Sequence, residues 1–196
     1  MVLIESSRQV SILYKVSGMQ RTIQFDLLWH HVKQRSPCKT HYFHGFDHWM
    51  RVLRNGRVLA LHTGADPVIV ELFALFHDSC RWSDGYDTGH GARGAALAKE
   101  LHGDLFELDD DNFERLHYAC TWHQEQDFCD DPTIGTCWDA DRLDLVRVGI
   151  LPDPRLLNTE FAKQLAGELN LEEELSRHYE NLFRDNKTSL KSASHH

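Results

Sequence analysis

No run of apolar residues in this chain approaches the ~18 needed to span a membrane as a helix, and no repeat at a fixed period or long low-complexity segment interrupts it. Cys-x-x-Cys spacing is absent. The five cysteines, Cys38, Cys80, Cys120, Cys129 and Cys137, are an odd number, which argues against a disulfide framework and a structural zinc site and for buried free thiols. Positive charge is short as well: 21 Lys and Arg stand against 30 Asp and Glu, a net charge of −9. Such a surface repels a phosphate backbone, which excludes general nucleic-acid binding but leaves room for a local cationic pocket around a small phosphorylated ligand. No membrane association is expected. Val10-Ser11-Ile12-Leu13-Tyr14-Lys15 is broken by polar residues, so no secretory signal is read and a cytoplasmic location is expected.

What is present is ordinary globular composition, 41% hydrophobic and 26% charged over 196 residues, enough for one well-buried domain. Helical spacing predicts helices near 24–34, 44–62, 66–80, 89–102, 110–124, 133–148, 159–168 and 171–184. Strand alternation is absent outside the poorly patterned residues 8–16. The expectation is an all-α, single-domain helical bundle. Residues 1–24 form an N-terminal extension in which Met19 is an alternative start, and residues 25–150 form the main body. Pro152 and Asp153-Pro154 set off a C-terminal helical pair, 151–188, packed on the same domain with Thr159 as an N-cap, followed by a tail over 189–196.

The segment Val68-Ile69-Val70-Glu71-Leu72-Phe73-Ala74-Leu75-Phe76 is apolar nearly all the way around, the signature of a buried helix. Asp66 is placed to cap it and Pro67 sits where a missing N–H costs nothing. The run closes in His77-Asp78. Burying that pair unpartnered costs several kcal/mol, on the order of the penalty for unsatisfied polar groups, so a metal ion is the natural partner. Helix neighbours lie about 100° apart, so the remaining ligands must come from other helices.

Sorting the other ionisable residues by helix face gives the candidates. His48 shares a stripe with Val52 and Leu59 and faces inward, as a ligand or as a core histidine with a hydrogen-bond partner, and His44 lies at or before the start of that helix, as a group behind a ligand or beside the substrate. Asp141 lies with Ile134, Cys137, Trp138, Leu145 and Val148, so it faces the core. Asp139 falls on the other side, where it is expected to pair with Arg142 on the surface, and Asp144 is given a surface pair with Arg147. His90 shares a stripe with Gly94, Leu97 and Leu101, and His123 one with Phe113, Leu116 and Cys120. These two histidines are candidates for a second ion or for hydrogen bonds to core carbonyls. His30, His31, His62, His102, His117 and His178 are read as helix-end or surface residues.

The ordered set His48, His77-Asp78, Asp141 on a helical frame resembles the HD-domain superfamily of metal-dependent phosphohydrolases over roughly residues 40–150. His44-Gly45-Phe46-Asp47-His48-Trp49-Met50-Arg51-Val52 looks like that family's first-ligand helix, and Ala140-Asp141-Arg142-Leu143 like its last-ligand motif. His90-Gly91-Ala92-Arg93-Gly94 and His123-Gln124-Glu125 resemble the added histidines of two-metal members. The Gly-Tyr-Pro signature of the cyclic-dinucleotide phosphodiesterase branch is missing. Where many relatives carry a lysine shortly after the His-Asp pair, Arg81 stands in Ser79-Cys80-Arg81, and guanidinium suits a bidentate grip on phosphate.

The resemblance implies metal ligation by His48, His77, Asp78 and Asp141, with His90 and His123 as second-site ligands. Asp78 and Arg81 would be catalytic, and Arg81, Arg93 and His44 would bind substrate. The cofactor would be one or two divalent ions of the manganese, iron, nickel or zinc class. Hydrolysis of a nucleotide or other small phosphorylated metabolite by metal-activated water is the expected activity. Two alternatives stay open: a diiron oxygenase of HD-like type, which requires His90 and His123 as ligands, and a nucleotide-sensing module without turnover.

Overall fold

The computed structural model describes residues 2–6, 9–16, 19–23, 25–38, 40–168 and 170–193, with side chains described at Ile23, 25–38, 40–168 and 170–182. Helices make up its body: α1 (Phe25–Arg35), α2 (Phe46–Thr63), α3 (Pro67–Phe76), α4 (His90–Leu101), α5 (Asp110–Trp122), α6 (Pro132–Arg142), α7 (Glu160–Ala166) and α8 (Leu171–Ala193). Short 3-10 stretches follow α6 at Leu143–Val148 and precede α7 at Pro154–Leu156. Ahead of the helices, β1 (Val2–Ser6), β2 (Gln9–Val16) and β3 (Met19–Ile23) form an antiparallel meander in the order β1-β2-β3. Ile12 stands opposite both Leu3 and Ile23. The helical reading therefore describes the body, and the strands are an addition to it over the N-terminal extension.

Every residue of α3 from Val68 to Phe76 is buried, and α3 packs against α1, α2, α4, α5 and α6. A helix without a polar face has to be surrounded. Its one carboxylate within the run, Glu71, is paired with Arg57 Nε of α2 at 2.8 Å, and Arg57 Nη1 also meets the Tyr179 hydroxyl of α8 at 3.0 Å. That half-buried contact ties the C-terminal helix to the centre of the molecule.

Sequence-local chemistry fixes the ends that matter for the site. Asp66 accepts the Val68 N–H at 2.9 Å with Pro67 in the first turn of α3, and Asp131 accepts the Thr133 and Ile134 N–H groups with Pro132 in the first turn of α6. Gly94 lets α4 approach the end of α3, since a Cβ there would stand 2.2 Å from the Phe76 carbonyl oxygen. No helix among the described residues is long and apolar enough to cross a membrane. All five cysteines are free thiols.

Candidate metal centre

Helix α3 ends at Phe76, one residue before the ionisable pair. His77 is its C-cap, and Asp78 lies in the turn that follows. The His77 ring is held from behind, its Nδ1 within 3.1 Å of the Phe73 carbonyl oxygen and 3.2 Å of that of Ala74. An Nδ1 that donates to a carbonyl leaves Nε2 as a bare lone pair. The same device recurs around the site. His90, the first residue of α4, points Nδ1 at the Asp87 carbonyl oxygen (2.7 Å), and His123, the C-cap of α5, points Nδ1 at the Cys120 carbonyl oxygen (2.8 Å). His48 on α2 points Nδ1 at the Asp144 carboxylate, at 2.7 Å.

With their Nδ1 atoms committed, the four Nε2 atoms converge in two pairs. His48 Nε2 and His77 Nε2 are 3.1 Å apart, and His90 Nε2 and His123 Nε2 are 2.9 Å apart. Asp78 lies between the pairs and faces each with a different oxygen. Its Oδ2 is 3.5 Å from His48 Nε2 and 3.8 Å from His77 Nε2, while its Oδ1 is 3.1 Å from His90 Nε2 and 3.8 Å from His123 Nε2. Asp141 joins the first pair, with Oδ1 at 3.3 Å from His48 Nε2 and 3.8 Å from His77 Nε2. Two trios, His48–His77–Asp78 and Asp78–His90–His123, thus have donor atoms within 4.8 Å of one another. Imidazole nitrogens and carboxylate oxygens in this arrangement fit a divalent transition ion, or two sharing Asp78. Solvent reaches the cluster from one side, since the Asp141 side chain is 23% exposed while those of His48, His77, Asp78, His90 and His123 are 3% or less.

The charges respond to one another. Burial disfavours a charged His48, but the Asp141, Asp144 and Asp78 carboxylates around it prevail and hold its pKa at about 10. His77 is pushed down to about 4 by burial. Burial works against an ionised Asp78 too, yet the surrounding imidazoles hold it well below the usual carboxylate range, and Asp141 is likewise held low, chiefly by His48. His123 is raised against its burial by Asp78. Near neutral pH a proton on His48 therefore occupies the place between the carboxylates that a cation would take.

The frame that holds this cluster has a solved counterpart. A predicted HD-superfamily hydrolase from an uncultured Thermotogales bacterium matches with a TM-score of 0.60 at 20% identity, over 87% of this chain and 93% of that one. The chain has the HD-domain fold. No protein-family model and no curated protein matches the sequence, so the likeness is one of fold.

Within the HD fold, Arg81 brings a cation to the shared Asp78. It is 4% exposed, and its Nη1 lies 3.4 Å from Asp78 Oδ1 and 3.2 Å from His90 Nε2. His44 stands at the edge, its ring centroid 6.0 Å from that of His48 and its Nδ1 3.0 Å from Asp84 Oδ1. Asp84 also accepts the N–H groups of Tyr42, Phe43 and His44, which clips the two loops beside the site together. Arg93 is placed differently from its sequence expectation as a substrate ligand. Its Nη2 takes both Asp87 oxygens at 2.7 Å, its Nε and Nη1 go to the carbonyls of Cys80 and Thr88, and its guanidinium lies over Trp82. It braces Asp87, whose carbonyl in turn orients His90.

Two carboxylates assigned to the surface are buried. Asp139 is fully buried, not paired with Arg142: it accepts the N–H of Asn158 and Thr159, the Asn158 amide and the Thr159 hydroxyl at 2.7–3.0 Å. The segment before α7 covers that side of α6, so α6 has no solvent face from Thr133 to Ala140. Asp144 is 1% exposed and holds His48, with Arg51 Nε at 2.7 Å on its other oxygen. Its contact with Arg147 exists, Nη1 to Oδ2 at 3.5 Å, but inside the protein. The signal available in sequence was an acidic residue three positions after Asp141, on nearly the same helix side.

Proposed function

We propose that the chain is a metal-dependent phosphohydrolase acting on a nucleotide or another small phosphorylated metabolite. One observation carries the reading: four imidazoles, each fixed through Nδ1, direct Nε2 at the two oxygens of Asp78, with Asp141 completing the first pair. His48, His77, Asp78 and Asp141 would hold one divalent ion, and Asp78, His90 and His123 a second. When bound, such ions polarise a phosphoryl oxygen and lower the pKa of water toward neutrality.

The chain's own groups supply the rest. Asp78, shared by both halves, keeps them in register. Arg81 places a fixed positive charge beside Asp78, where it offsets the charge of a phosphoryl group entering from the Asp141 side. His44, oriented by Asp84 at the edge of the cluster, is positioned to hydrogen-bond the substrate.

The convergence of His90 and His123 also satisfies what a dioxygen-using dinuclear centre requires, and Arg81 favours the phosphoryl reading over it. The experiment is phosphate release from a panel of nucleotides and small phosphomonoesters with added manganese, iron, nickel or zinc, and with chelator. Metal-dependent release lost in chelator is expected. Full activity in chelator, or oxygen uptake without phosphate release, contradicts the hydrolase reading.

A further inference from the structure

The two halves of the cluster are built alike in their imidazoles and unlike in their charge. The His48–His77 half meets two carboxylates, Asp78 Oδ2 and Asp141 Oδ1, and His48 is backed by a third, Asp144. The His90–His123 half meets one carboxylate oxygen, Asp78 Oδ1, and its imidazoles are backed by neutral carbonyls. It also has a resident cation. Arg81 Nη1 is 3.4 Å from Asp78 Oδ1, and 3.4 and 3.2 Å from the two ring nitrogens of His90.

That guanidinium is clamped. Its Nε donates to the Ser83 carbonyl at 3.2 Å and its Nη2 to the Gly85 carbonyl at 3.0 Å. Nearly equal distances to both ring nitrogens place Nη1 against the imidazole instead of along the Nε2 lone pair. Arg81 therefore does not fill the ligand position; it puts a positive charge beside it. Like charges at such separations in a buried site repel strongly, and an arginine does not shed its proton to relieve the repulsion.

We propose that the two halves bind divalent cations in sequence, the His48–His77–Asp78–Asp141 half first and tightly, the Asp78–His90–His123 half second and weakly, and that the Arg81 guanidinium sets the difference. This rests on the metal-binding reading above. The consequence is a centre with one permanent ion and a second that depends on the free ion concentration, so that Arg81 trades second-ion affinity for a charge available to the substrate.

The test is a calorimetric titration of chelator-treated protein with Mn²⁺ alone, on wild type, Arg81→Gln and Arg81→Lys, each first checked for folding by circular dichroism. Wild type should show two steps, the second roughly ten- to a hundredfold weaker. Arg81→Gln, which removes the charge, should bring the second step close to the first, and Arg81→Lys, which keeps it, should retain two separated steps. Two equivalent ions in wild type, or a second step equally weak in Arg81→Gln, overturns the inference while leaving metal binding intact. The wild-type titration decides between one step and two even if Arg81→Gln fails to fold. Absence of any Mn²⁺ binding to wild type instead overturns the metal reading, and this inference with it.

Discussion

The imidazoles of His48 and His77 face each other Nε2 to Nε2 at 3.1 Å, one on a helix near the start of the bundle and the other at the end of its most buried helix. Two lone pairs at that distance repel unless a positive charge lies between them. At neutral pH a proton on His48 can serve, and a divalent ion serves better because it also satisfies Asp78 and Asp141.

That exchange of a proton for an ion gives a pH dependence. His48 is raised from 6.5 to about 10, so its charged form contributes stability that is complete below about pH 6.5 and fades as pH rises toward 10. His77 is lowered to about 4, which costs stability as pH falls from about 6.5, and the depressed Asp78 and Asp141 add to the loss in more acidic solution. Without ion, the melting temperature should peak near about pH 6.5. Because the ion must displace the His48 proton, added Mn²⁺ should raise the melting temperature more at pH 8 than at pH 6, by the linkage of proton release to metal binding. Scanning calorimetry across pH, with and without Mn²⁺, checks both; a larger metal effect at pH 6 counts against the account.

Asp144 tunes the first pair from behind. Its removal should weaken the binding of the first ion by roughly 10–100-fold, the usual effect of losing a hydrogen-bond partner behind a ligating imidazole. Asp144→Asn, which can still accept from His48 Nδ1, should lose less than Asp144→Ala. Equal affinities in wild type and Asp144→Ala, measured by competition with a chelating dye, would mean that the 2.7 Å contact is only structural.

Asp139 and Asp141, two positions apart, should fail in different ways. Asp139→Ala strands donors from Asn158 and Thr159 and should cost about 2–4 kcal/mol of stability with metal content preserved. Asp141→Ala should lose the ion with little change in the melting temperature of the metal-free chain beyond the lost His48 contact. Metal analysis beside denaturant unfolding separates the two.

Gly91 sets the spacing of the second pair. A Cβ there would stand 2.3 Å from the Cys120 carbonyl oxygen and 3.1 Å from His123 Cε1, so Gly91→Ala should push α4 from α5 and draw His90 away from His123. Overpacking of this kind costs about 1–3 kcal/mol. Second-step Mn²⁺ binding should vanish while the first step survives; an unchanged second step would show that the helices yield without disturbing the histidines.

Much of this is legible in the sequence. The capped run from Asp66 to Phe76 reads as a buried helix because Glu71 is the one polar side chain between Pro67 and Phe76 and leaves it without a polar face, and the stripes through His48, His90 and His123 place those imidazoles inward. Three things are not legible, each for a physical reason. Helical spacing assigns Asp139 to solvent because it gives α6 one buried face, whereas the segment around Asn158 and Thr159, distant in sequence, covers the other. Asp144 reads as a surface partner of Arg147 because an acid three positions before an arginine matches an exposed i,i+3 pair; the pair forms, but beneath α2, whose His48 and Arg51 are distant in sequence. The strands over Val2–Ser6, Gln9–Val16 and Met19–Ile23 carry weak alternation, and their pairing is a property of three segments together.

The most direct test of the account is the position of the ion itself. Crystals grown with Mn²⁺ and measured for anomalous scattering should show a peak bounded by His48 Nε2, His77 Nε2, Asp78 Oδ2 and Asp141 Oδ1, each at about 2.0–2.3 Å as ligand bonds of this class require. No peak at the cluster, or an ion bound with Asp141 turned to solvent, would contradict it.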